Sequence, residues 1–136
     1  MKIRSDYTCP LEIVHDIIKG KWKPIIIFQL RKGKVTLANL ERQIKGISQK
    51  MLIEQLRELT EFKIVERTRY EGYPLKVEYS LTDNLGIKML TAVYIMQEVG
   101  IEYMQEKGMN GILECKGIRD SSQVRKEIVE NVSKLF

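Results

Sequence analysis

The hydrophobic positions change period along the chain, and those changes divide it. Leu11, Val14, Ile17 and Ile18 recur at helical spacing after Cys9-Pro10, with Pro comfortable at a first helical position and Gly20 ending the run. Lys21-Trp22-Lys23-Pro24 reads as a turn into a second helix, Ile25–Arg31. That helix is apolar nearly all round and is expected to be the buried central one. Lys32-Gly33-Lys34 closes it. Thr36 suits the N-cap of a third helix, Leu37–Ile44, and Lys45-Gly46 makes a tight turn into a fourth over residues 48–62. In the fourth, Ser48 stands at the N-cap, and Leu52, Leu56 and Leu59 form one stripe to bury.

After Lys63 the period drops to two. Ile64–Tyr70 and Lys76–Leu81 read as strands, with Val77, Tyr79 and Leu81 alternating with polar residues, and Glu71-Gly72-Tyr73-Pro74 is the turn between them. Helical spacing then returns. Thr82 with Asp83 or Asn84 caps a helix running to about Lys107, whose apolar residues occupy more than one stripe. Such a helix has two things to bury against, its own domain and something else, most simply a second copy of the chain. Residues 108–117 form a Gly-containing break that includes Cys115. From about Ser121 to Phe136, Val124, Ile128, Val132 and Leu135 share the face of a final helix, and Met1–Thr8 reads as a mobile leader.

These elements predict an α+β fold, mostly α: a winged helix-turn-helix domain with a two-stranded β-hairpin wing and a long C-terminal dimerisation helix. The expected division is a winged-helix domain over residues 1–107, with the dimerisation helix at about 83–107. Residues 108–136 would be a linker and a helix belonging to the dimer arm.

Charge sharpens the picture. Between Lys19 and Lys50 stand nine Lys or Arg against one acid, Glu41, a local charge of +8 in a chain of net +5. A basic front half beside a mildly acidic remainder points to a polyanion-facing side. On the fourth helix, Gln49, Lys50, Ile53, Glu54 and Arg57 lie away from the leucine stripe, where polar groups can address base edges or phosphates. The plainer alternative is a surface helix laced by its own Lys50–Glu54 and Glu54–Arg57 pairs. Arg69, Tyr70 and Lys76 at the hairpin tip suit phosphates or a minor groove.

Other chemistries find little support. The chain has two cysteines far apart, no CxxC and a single His, which excludes a structural zinc site. It shows no nucleophile–His–acid set and no phosphate loop, so an enzyme is not expected, and no cofactor. No apolar run approaches bilayer length and no signal-peptide h-region is seen, so the expected location is the cytoplasm, without a membrane partner. Cys9 is the candidate redox-sensing residue. It lies at a helix N-terminus, where unpaired N–H groups favour thiolate, within reach of Arg4 on the leader. Packing or capping is its alternative role. Cys115 is a candidate disulfide partner.

Five segments in order carry a resemblance: Cys9-Pro10, Gly20-Lys21-Trp22, Gly46 through Leu52, Leu56-Arg57-Glu58-Leu59, and Val77 through Thr82. Over roughly residues 9–105 the chain resembles the HxlR family of winged helix-turn-helix transcriptional regulators, which are related to the MarR type. The resemblance implies a homodimer on double-stranded DNA with a pseudo-palindromic operator. Ser48, Gln49, Lys50, Ile53 and Arg57 would then serve the recognition helix, and Tyr70–Lys76 the wing. It also implies that Cys9 matches a cysteine that senses oxidants or electrophiles in some members. The chain departs from the family in having Lys63 where Gly usually closes the recognition helix. It also has Thr36-Leu37-Ala38-Asn39-Leu40 in place of an Arg-Phe-rich start, and Asn84 as one extra residue before Gly86. The effector is open. So is the alternative of a winged helix that binds protein and not specific DNA.

Overall fold

The computed structural model of the protein describes residues 3–109 together with Lys126, Val129, Glu130, Val132 and Ser133. It divides into two compact units, Met1–Gly86 and Ile87–Phe136. The first unit holds α1 (Pro10–Ile18), α2 (Trp22–Gln29), β1 (Val35–Thr36), α3 (Leu37–Gln43), α4 (Gln49–Glu61), β2 (Val65–Tyr70) and β3 (Lys76–Leu81). The start of α5 (Leu85–Glu106) also falls in it.

Its core is built from α2, α3, α4 and the base of the hairpin. Ile26, Ile27, Leu40, Leu52, Leu56 and Leu59 are fully buried, and Leu30, Ile44, Ile64 and Val65 nearly so. The central-helix expectation for α2 holds, but its start differs. Trp22 and Lys23 belong to its first turn, with Pro24 inside that turn, where a missing N–H costs nothing. Lys23 is buried, and Trp22 is half-buried.

The hairpin is part of a three-stranded antiparallel sheet in the order β1-β3-β2. Two-residue β1 pairs Val35 with Tyr79 and Thr36 with Glu78. So short a strand offers no alternation to read. Both caps of the helix-turn-helix form as expected: the Thr36 hydroxyl accepts from the Asn39 N–H at 3.3 Å and the Ser48 hydroxyl from the Met51 N–H at 3.1 Å.

Thr82 ties the end of the sheet to the start of α5. Its hydroxyl donates to the Lys63 carbonyl at 2.7 Å and accepts from the Gly86 N–H at 2.8 Å. Gly86 is required there, because a Cβ would collide with the Ile64 carbonyl and press on Leu81.

In the second unit the two-faced reading of α5 is visible in burial. Leu90, Val93, Tyr94 and Ile101 are buried, whereas Ile95, Met96, Val99 and Tyr103 on the opposite side are exposed. The five described residues between 126 and 133 are helical, and the Ser133 hydroxyl donates to the Val129 carbonyl at 2.8 Å. Cys115 and the remainder of the expected final helix, including Val124, Ile128 and Leu135, lie outside the described residues.

Candidate nucleic-acid interface

Helix α4 is pinned on one side and open on the other. Its three leucines are 0% exposed, while Gln49, Lys50, Ile53, Glu54 and Arg57 form an exposed stripe along the opposite face. The intrahelical pairs of the plain surface-helix reading do not form. Among the described residues Lys50 and Glu54 make no ion pair, and Arg57 reaches Glu61 at 3.6 Å, both well exposed. An exposed pair of that kind is worth little, so Arg57 can leave it for a phosphate at small cost. The Ser48 hydroxyl is engaged as a cap acceptor, and its own proton remains available to donate.

Beneath α4 lies an ion pair that the sequence did not announce. Lys23 Nζ of α2 stands 2.5 Å from Glu58 Oε2 of α4, with side chains 4% and 15% exposed. The hydrogen bond from Lys23 holds the Glu58 carboxyl below its ordinary range, against the opposing effect of burial. A buried pair contributes little net stability, and this one links α4 to α2 at a single point. A lone Lys beside Trp22 in a basic stretch gives no such signal. Only the helical register of α2, read as beginning at Trp22, would have turned it inward.

The C-terminus of α4 answers the question raised by Lys63. Lys63 adopts the left-handed conformation with φ 61°. The Ile64 N–H donates to the Leu59 carbonyl at 3.0 Å and the Lys63 N–H to the Thr60 carbonyl at 3.1 Å, a Schellman closure. Buried Ile64 and Leu59 supply the apolar contact that accompanies it. The helix therefore ends as a glycine would end it, with Lys63 bearing the steric cost.

The wing separates residues that adjacency in sequence had grouped. Tyr70 and Lys76 are cross-strand partners and share a face. Lys34, expected only to close α2 within the basic stretch, joins them: its Nζ donates to the Tyr70 hydroxyl at 3.3 Å. Lys34 and Lys76 stand 5.7 and 5.1 Å from the Tyr70 ring centroid. Donation to Tyr70 raises the Lys34 pKa above its ordinary value. Lys76 is partly compensated by Glu78 at 3.4 Å. Arg69, one residue before Tyr70, points to the other face by strand alternation, together with exposed Arg67. The same alternation, applied to Arg67 and Arg69, would have found that pair in the sequence.

Cys9 is exposed and is the N-cap of α1, with no side-chain cap bond. Described residues of the leader before it make local contacts. Thr8 donates its N–H and hydroxyl to the Glu12 carboxylate at 3.1 and 2.7 Å, and the Tyr7 hydroxyl donates to Asp16 at 2.7 Å. These bonds lower the Glu12 and Asp16 pKa values. Arg4 is not aimed at Cys9: it pairs with Asp16 at 3.5 Å and Asp6 at 3.8 Å and lies 4.8 Å from the Tyr7 ring centroid. Among the described residues no group of three His, Cys, Asp or Glu is placed to hold a metal ion. None of their helices is long and apolar enough to cross a membrane.

The HxlR-like helix-turn-helix family model matches residues 17–108, from the end of α1 past the end of α5. The chain belongs to this family. It is 39% identical over 108 residues to the uncharacterized HTH-type transcriptional regulator YdeP of Bacillus subtilis, covering 75% of this chain and 84% of that one. To YkvN of the same organism, also an uncharacterized HTH-type transcriptional regulator, it is 35% identical over 105 residues, covering 77% and 88%. Among solved structures it is similar to the redox regulator HypR in its reduced form, at 38% identity and a TM-score of 0.67. That match covers 75% of this chain and 99% of HypR. It is also similar to diamide-treated YodB of B. subtilis, at 34% identity and a TM-score of 0.59, covering 68% and 91%. The HxlR family comprises transcriptional regulators, not enzymes, and this chain is a winged helix-turn-helix regulator of that type.

Proposed function

We propose that this HxlR-type regulator acts in the cytoplasm as a homodimer that binds an inverted-repeat operator in a sequence-specific way. The observation that carries this is the exposed stripe Gln49, Lys50, Ile53 and Arg57, on a helix whose other side is fully buried and keyed by Lys23–Glu58. A helix anchored on one side, with exposed polar groups on its outer face, meets the geometric need of major-groove readout. Gln49 is suited to adenine and Lys50 to guanine O6 and N7. Ser48 and Arg57 would contact phosphate, and at the wing Lys34, Tyr70 and Lys76 on one face, or Arg69 on the other, would contact phosphate or the minor groove. The second copy would cover the exposed α5 stripe of Ile95, Met96, Val99 and Tyr103, making residues from about 83 to 107 the dimerisation helix and 108–136 part of the arm. Two copies of α4 would then lie about one helical turn apart, ~34 Å.

The test is a gel shift with DNA upstream of the protein's own gene and with random DNA, at two salt concentrations. A specific shift weakening steeply with salt is expected. Equal, weak retention of both duplexes would favour a protein-interaction module.

A second reading rests on the exposure of Cys9 and on the likeness to HypR, a redox regulator. An oxidant or electrophile that reacts at the Cys9 sulfur would alter the start of α1 and so the spacing of half-sites. Cys115 would be the intersubunit disulfide partner. Non-reducing gels after mild oxidation decide the cross-link: a band of dimer mass supports it, and monomer alone rules it out.

A further inference from the structure

Ile53 is out of place as a packing residue. It is 46% exposed at the centre of the outer face of α4, one turn after Gln49 and one turn before Arg57, with Lys50 three residues back. Nothing in the fold asks for an isoleucine there. The leucine stripe supplies the burial, Ser48 the cap, and a β-branched residue is a mediocre helix former on an exposed face. What distinguishes the position is its company: the neighbours along the stripe are all hydrogen-bonding groups, and Ile53 is the apolar break among them.

Resting on the DNA-binding reading above, we propose that Ile53 contacts the C5-methyl group of a thymine in the major groove and so determines specificity at one base pair of each half-site. The major groove presents donors and acceptors to Gln49 and Lys50, and a single kind of apolar group, the thymine methyl. Four residues of helix rise about 6 Å against ~3.4 Å per base pair, so that thymine lies one or two base pairs from the base addressed by Gln49.

The experiment begins with the full-length protein selecting duplexes from a random pool. In the enriched duplex each thymine is then replaced singly by deoxyuridine, which removes the methyl and leaves every hydrogen-bonding edge intact. One position per half-site is expected to lose about fourfold or more in affinity, the worth of one buried methyl-sized group. Ile53→Ala should bind the thymine and uracil duplexes equally at that position, with an unchanged unfolding midpoint and unchanged responses elsewhere. An Ile53→Ala protein that keeps the full uracil penalty, or an enriched duplex indifferent to uracil at every position, overturns the inference while leaving DNA binding in place. A pool from which no sequence is enriched overturns the DNA-binding reading, and this inference with it.

Discussion

Helices α1 and α4 look alike as sequence and end differently. Both are amphipathic, with apolar residues at helical spacing behind a favourable first turn. In α4 the stripe is completely buried by its own unit. In α1 no residue is buried, and Leu11 and Val14 are 75% and 37% exposed. An amphipathic pattern states that a face needs covering; it does not state by what. For α4 the answer is the core of the same chain, so the helix can serve as a rigid reading head. For α1, as for the outer stripe of α5, no covering surface is found among the described residues, and for α5 our proposal assigns it to a second copy.

The strongest way to break this contrast is to truncate matched leucines. Leu56→Ala in α4 should cost about 2–5 kcal/mol of unfolding free energy. Leu11→Ala in α1 should change the stability of the isolated chain by no more than about 0.5 kcal/mol. Denaturant titration at low protein concentration compares them, and equal costs would remove the distinction.

Next comes the ion pair under α4. Lys23→Ala removes the lysine of the pair from a carboxylate that keeps other interactions, and should cost about 1–3 kcal/mol. Because the folded-state pKa of Glu58 is lowered, the pair's contribution is present above the ordinary carboxylate value of 4.5 and is lost as pH falls through the lowered one. The wild type should therefore lose stability on acidification below about pH 4.5 more steeply than Lys23→Ala.

On the outer face, Lys50→Ala should leave folding intact and weaken operator binding by about 1–3 kcal/mol, relaxing preference at one base position. On the dimer face, Val99→Asp should weaken self-association at least about tenfold, some 1.4 kcal/mol, as read by sedimentation against concentration. The smallest effect belongs to Lys63→Gly. Relief of the left-handed strain at φ 61°, offset by glycine's unfolded-state entropy, should raise stability by about 0.5–1 kcal/mol.

Much of this was legible in the residues because it is local. Ser48 and Thr36 cap as hydroxyls at N-caps do, the leucine stripe of α4 is buried as its spacing requires, and the strand bounds follow the switch to a period of two. What escaped depends on register between distant segments. Strand β1 is two residues defined by its pairing with Tyr79 and Glu78, and Lys34 reaches Tyr70 only through that sheet. Lys23 was hidden because the sequence places it, with Pro24, in a turn before a helix starting at Ile25, whereas α2 begins at Trp22. Tyr7, Thr8 and Arg4 of the leader find Asp16, Glu12 and Asp6, pairings that no periodicity announces. Lys63, a departure from the family pattern, still ends α4 with the same closure, since the backbone bonds of that motif do not require glycine, only a positive φ.

The central claim is that two copies of α4 read one face of a duplex together. Its most direct test is operator affinity as a function of half-site spacing. Lengthening the spacer of the selected inverted repeat by about five base pairs, half a helical turn, should rotate one half-site out of reach and drop affinity toward that of random DNA. Affinity unchanged by that insertion would contradict the account.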